Sequence, residues 1–132
     1  MPRATTSSRK IFMALICVMV FAQGSDRGKA AADSRLWPVG DSAGWSFDVL
    51  GWPNYKPFKA GDVLLFSYKH GAHNVVQVNT VAQYSMCEVP ARNATVWSSG
   101  NDRITLARGM SFFVCGIPGH CQKGMKIAVT AR

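Results

Sequence analysis

What most limits the fold of this chain is its punctuation. Past Lys59 the apolar stretches are short, and turn residues interrupt them at roughly 8 to 12 residue intervals, a spacing that suits antiparallel strands and leaves no room for a long helix. Lys59-Ala60-Gly61-Asp62 turns into Val63-Leu64-Leu65-Phe66-Ser67-Tyr68, and His70-Gly71-Ala72-His73 turns into a second strand over residues 74–78. Ser98-Ser99-Gly100-Asn101-Asp102 reads as a turn cluster and Arg108-Gly109 as a turn; Arg103-Ile104-Thr105-Leu106 alternates, and residues 110–115 and 126–130 read as further strands. Residues 80–87 lack alternation and stop short of Pro90, which suits a short helix. The expectation is an all-β Greek-key β-sandwich or barrel with one or two short helical segments. The sequence has no internal repeat and no low-complexity segment.

The N-terminal region is built differently. Twelve uncharged residues from Ile11 to Ala22 follow Arg3, Arg9 and Lys10. The run falls short of the roughly 20 apolar residues a membrane span needs, and it has the layout of a secretory leader. Ala30-Ala31-Ala32 offers a cleavage site before Asp33, with Ala22-Gln23-Gly24 as a competing one. The expected organisation is a signal peptide over 1–32 and one domain over 33–132. The whole chain carries a net charge of +8, and the leader takes five basic residues and one acidic residue with it, leaving +4. So modest an excess does not require nucleic acid, and none is expected as a partner. Anionic polysaccharide, anionic lipid and an acidic protein are all permitted.

Cysteine parity then poses a question. Cys17 leaves with the leader, and Cys87, Cys115 and Cys121 remain, an odd number in a compartment where disulfides form. One thiol lacks an intramolecular partner. It pairs with another chain, reacts with small thiols, or is held as a thiolate by a metal.

The stretch Cys115-Gly-Ile-Pro-Gly-His120-Cys121-Gln-Lys-Gly-Met125 bears on that choice. Its glycines and proline leave the loop free to fold back, so that a thiolate, an imidazole and a thioether can converge on one point. With a second imidazole these make the His₂Cys set with a weak axial Met that marks blue copper, whereas zinc sites do not use Met. The second imidazole must come from His70 or His73. His73 opens the extended run Asn74-Val75-Val76 and is the better placed; His70 lies in the turn, where solvent is its natural partner. Each residue alone has an ordinary explanation: a surface His, a core Met, a Cys115–Cys121 bridge. Taken jointly, such explanations must also account for the odd thiol.

At this point the sequence resembles the phytocyanins, small secreted blue copper proteins of plants, and within them the plantacyanin (basic blue protein) subgroup. The resemblance runs through Gly44-Trp45, Phe58, Gly61-Asp62, Leu64-x-Phe66-x-Tyr68, His73-Asn74-Val75, Tyr84, Cys87, Gly109, Phe113-x-Cys115, Gly119-His120-Cys121 and Gly124-Met125-Lys126. It implies a cupredoxin-like Greek-key sandwich, one type 1 copper held by His73, Cys115, His120 and Met125, and a disulfide joining Cys87 to Cys121 that leaves Cys115 as the thiolate. Met125 stands where stellacyanin-like members carry Gln. No hydrophobic tail follows Val129, so no GPI or other membrane anchor is expected. Asn93-Ala94-Thr95 is an N-glycosylation sequon, which makes Asn93 a candidate modification site on a surface loop.

The resulting expectation is a secreted, monomeric one-electron carrier of the apoplast or cell wall, cycling Cu(II)/Cu(I), with a redox protein or small-molecule reductant as partner. With four protein ligands and no open position, it has no enzymatic activity of its own. Asn74, beside His73, is expected to give an amide hydrogen bond to the Cys115 sulfur and tune the potential. Two rivals remain open. One is an extracellular binding or signalling module in reproduction or stress, in which copper is structural and Lys56, Lys59, Arg92, Arg103 and Lys126 engage an acidic wall polymer or receptor. The other is a copper oxidase or peroxide scavenger, which needs an exchangeable coordination position.

Overall fold

The structure, a computed structural model, describes residues 33–132. The expected leader over 1–32, with its cleavage sites and Cys17, lies outside the described residues. Seven strands form two sheets: β1 (Leu36–Pro38), β2 (Val63–Ser67), β3 (Val75–Val78), β4 (Thr95–Trp97), β5 (Asn101–Thr105), β6 (Gly109–Val114) and β7 (Lys126–Ala131). One sheet has the order β1-β2-β5 and the other β4-β3-β6-β7. Four of the five pairings are antiparallel; β1 runs parallel to β2, which strand alternation alone did not foretell.

Alternation explains which faces meet. Leu64 and Phe66 of β2, Ile104 of β5, Phe113 of β6, and Ile127 and Val129 of β7 turn inward with Trp37, Trp45 and Phe58 to form the core between the sheets. At ~25 cal/mol per Å² of apolar surface, each such side chain contributes about 1.5–3 kcal/mol. The middle strands β3 and β6 are covered on both faces. Their other set, Val76, Val78, Phe112 and Val114, packs with Cys121 against Tyr84 and Cys87, giving a second small cluster. Helix α1 (Val81–Met86) forms that cover; the Thr80 hydroxyl caps it by accepting from the Gln83 N–H, and Cys87 ends it in the left-handed conformation at φ 55°.

Two single-turn 3₁₀ helices, Asp41–Ala43 and Cys121–Lys123, complete the elements. One reading from sequence needs correction: residues 101 and 102 belong to β5 rather than to the turn before it. The Asp102 side chain, 5% exposed, points inward and accepts hydrogen bonds from Ser99 and Tyr68, and Asn101 and Asp102 pair with Ser67 and Phe66.

Candidate metal centre

Two registers bring the site together. Val76 lies opposite Val114 across β3 and β6, so two residues further Asn74 meets Gly116; Val114 lies opposite Lys126 across β6 and β7, so Cys115 meets Met125. Hydrogen bonds follow both extrapolations. The Gly116 N–H donates to Asn74 Oδ1 at 2.6 Å, and the Cys115 N–H donates to the Met125 carbonyl at 3.0 Å. His73 therefore stands beside Cys115 because β3 and β6 are neighbours, although 42 residues separate them in sequence.

The loop between Cys115 and Met125 delivers His120. Its N–H donates to Ile117 O, and its carbonyl accepts from Lys123 N–H at 3.1 Å and Met125 N–H at 3.2 Å. Gly124, at φ 95°, ends the Cys121–Lys123 turn in a conformation that side chains resist and returns the chain to β7. Gly116 is needed for another reason: a Cβ there would come within 2.9 Å of Val76 and 3.1 Å of Asn74 Oδ1. A disulfide joins Cys87 to Cys121, fastening this loop to the end of α1, and Cys115 is the free cysteine among the described residues.

His73, Cys115 and His120 each offer a ligand atom, all within 4.8 Å of one another. The two Nδ1 atoms are 3.0 Å apart, and Cys115 Sγ is 3.5 Å from His120 Nδ1. Donors bonded to one ion at ~2.0–2.3 Å and angles of about 95–115° lie roughly 3.0–3.6 Å apart, so both of these separations have the size that a single metal ion sets. Met125 is fully buried and is hydrogen-bonded through its backbone to both Cys115 and His120. Two imidazoles, a thiol and an adjacent thioether fit copper better than zinc. His70, the alternative imidazole, is exposed and stands outside the cluster.

The surroundings hold these donors in place. The Trp45 indole donates to the Asn74 carbonyl at 2.9 Å, pinning the backbone next to His73. Phe47 sets its ring edge-to-face against both imidazoles, with centroids 5.6 Å from His73 and 4.9 Å from His120. Tyr68 packs 6.2 Å from His73, and burial together with its bond to Asp102 pushes its phenol up to about 12, so it stays neutral. Burial, and then the neighbouring His120, hold His73 below the usual imidazole range, which keeps its ring lone pair free. Asn74 differs from the sequence expectation. Its side chain accepts from Gly116 N–H and makes no hydrogen bond to the Cys115 sulfur. Phe47 escaped the sequence reading altogether, because only the folded path of residues 45–48 brings it over the histidines.

The plastocyanin-like domain family matches residues 37–125. The Arabidopsis thaliana basic blue protein is 45% identical over 128 residues, covering 97% of this chain and 94% of its own. The chain is a phytocyanin. Chemocyanin of Lilium longiflorum is 51% identical over 100 residues, covering 76% of this phytocyanin and 78% of its own length. Among solved structures, the cucumber basic protein, a blue copper protein, superposes with a TM-score of 0.70 at 52% identity, covering 74% of this chain and 99% of its own. The cupredoxin-like β-sandwich expected for the family is the fold observed. No helix among the described residues is long and apolar enough to cross a membrane.

Proposed function

We propose that this phytocyanin is a secreted one-electron carrier whose copper is held by His73, Cys115, His120 and Met125. The observation that carries this reading is the convergence of two imidazole nitrogens and the free, buried Cys115 thiol within 4.8 Å, beside a buried methionine. Copper bound there supplies a Cu(II)/Cu(I) couple, and a thiolate with two imidazoles suits both states.

The chain's own residues do the rest. Cys115 and Met125 are shut away from water at 1% and 0% exposure, whereas His73 and His120 are half-buried, so the imidazoles are the part of the donor set within reach of a partner surface. Each ligand sits beside a hydrogen-bonded backbone: His73 next to Asn74, which Trp45 and Gly116 pin at the start of β3, Cys115 and Met125 where they bond to each other at the ends of β6 and β7, and His120 in the disulfide-anchored turn. A frame so braced keeps one geometry through both oxidation states, which lowers the reorganisation that electron transfer requires. Four protein donors leave no position for substrate, and this supports a carrier without catalysis of its own. The leader-like residues 11–22 and the Cys87–Cys121 disulfide support secretion to an extracellular, oxidising compartment. A redox protein or a small reductant is the expected partner.

Stopped-flow mixing of the copper-loaded protein with ascorbate and then ferricyanide tests the proposal. Reversible one-electron cycling, with a spectrum indifferent to azide, is expected. Copper loss on reduction, or an azide-shifted spectrum that reveals an open position, contradicts it.

A further inference from the structure

A second concave site lies away from the donor cluster. The six residues of β7 climb at roughly 3.3 Å each from Lys126, beside Met125, to Ala131, which puts Arg132 about 20 Å from the metal centre. There the Arg132 N–H donates to Phe58 O and the Ala60 N–H donates to Arg132 O, stitching residues 58–60 to the end of β7. The concavity formed has a volume of about 470 Å³ and is lined by Tyr55, Lys56, Phe58, Lys59 and Arg132, with Pro57 and Thr130 between them. Its size falls within the roughly 300–1,000 Å³ of small-ligand sites.

Three features of this site have no role in the core. First, three basic residues line one hollow and no Asp or Glu lines it. Without Lys56, Lys59 and Arg132, the +4 of residues 33–132 falls to +1. The acid nearest in sequence, Asp62, turns its buried carboxylate inward to the Trp37 indole and the Arg35 and Lys59 N–H groups. Second, the Tyr55 side chain is wholly in water, at 103% of its reference area, on a backbone at φ 65°. A bulky residue in that conformation costs of order 1–3 kcal/mol, and no packing contact of its ring offsets it. Third, Lys56 is fixed, its ammonium bonded to Trp52 O at 2.7 Å and 5.0 Å above the Trp52 ring, so little rotamer freedom remains for a ligand to remove.

We propose that this concavity binds an anionic carbohydrate, a polyuronate chain. Its carboxylates meet Lys56, Lys59 and Arg132, and the C–H face of a pyranose ring lies against Tyr55. Aromatic and basic residues together also suit single-stranded nucleic acid, but the disulfide fits an oxidising compartment and is rare in the cytosolic and nuclear proteins that meet nucleic acid. Binding at this end leaves the His120 end free, so the protein can be held on a matrix while its redox face stays open. The inference stands independently of the electron-carrier reading.

Titration of the copper-loaded protein with polygalacturonate, followed by calorimetry and by NMR of the Cu(I) form, is the test. Dextran, polyglutamate and single-stranded DNA serve as comparison polymers. Binding should weaken with salt, and shifts should cluster at residues 55–59 and 130–132. Lys59→Gln/Arg132→Gln should lose about thirtyfold in affinity, the order expected when two cations near an anionic surface are removed. The charge-matched Arg92→Gln/Arg103→Gln should lose much less. Tyr55→Asn, which suits the left-handed backbone, should weaken polygalacturonate binding and leave polyglutamate binding unchanged. An unchanged copper spectrum shows that each variant is folded. Absence of binding, equal losses in the two charge pairs, an indifferent Tyr55→Asn, or equal affinity for polyglutamate or DNA overturns the proposal.

Discussion

Replacing both Cys87 and Cys121 by alanine removes the tie between α1 and the ligand loop, and the size of the effect follows from chain length. The bridge closes a loop of sequence separation 34. In the chain-entropy description, a loop of that length restricts the unfolded chain by about 4 kcal/mol at 25 °C. Cys121 is also 3% exposed and packs with Val76, Phe112 and Val114, so losing its sulfur opens a small void worth roughly 1 kcal/mol more. The total, about 5 kcal/mol, is a large share of the ~5–15 kcal/mol that keeps a domain of this size folded. It corresponds to a fall in Tm of roughly 20–30 °C. The measurement is guanidinium and thermal unfolding of the metal-free protein, so that bound copper adds nothing to the native state. A loss below about 1 kcal/mol would falsify the reasoning, because neither the loop nor the packing would then act as the structure indicates.

Asn74→Ala strips the acceptor from the Gly116 N–H; we expect a loss of about 1–3 kcal/mol in the metal-free protein together with a shifted reduction potential, and an unchanged potential rules out any tuning role. Phe47→Ala uncovers both imidazoles while removing a ring that is already 37% exposed, so copper should be extracted by a chelator faster than from the parent with little change in Tm; an unchanged extraction rate contradicts the shielding. Asp62 is set by opposing influences: burial raises its carboxyl, but the Trp37 indole, the Lys59 and Arg35 N–H groups and the Lys59 charge pull it on balance below 3.8. A carboxylate depressed on folding stabilises above its unfolded pKa and loses that contribution as pH falls through the folded value. The advantage of the parent over Asp62→Asn should thus be constant above about pH 4 and shrink below it, by at most ~1.4 kcal/mol per pH unit. Denaturant unfolding at several pH values checks this, and a gap that widens on acidification contradicts it.

The sequence was most legible where chemistry and chain are both local. Cys115, His120 and Met125 fall within one glycine-punctuated loop, so their convergence needed no long-range knowledge, and His73 was placed by its extended neighbours together with the family resemblance. The long strands β2 and β6 were readable as apolar runs that follow turn residues, β7 from alternation, and the helix after Thr80 from its absence. Short elements were not. β1 and β4 have three residues each, too few for a period to show, and Pro38 further disguises β1. Asn101 and Asp102 look like turn residues and become strand because Ser67 and Phe66 pair with them. Contacts made across the fold were illegible as well: Phe47 over the histidines, Asn74 on Gly116, and the cations gathered where β7 ends.

Visible absorption and EPR of the Cu(II)-loaded protein test the central claim most directly. An intense blue thiolate-to-copper band with a narrow copper hyperfine splitting, both lost in Cys115→Ser, is the expected result. A colourless protein, or one whose spectrum survives that substitution, would contradict the His73, Cys115, His120 and Met125 site.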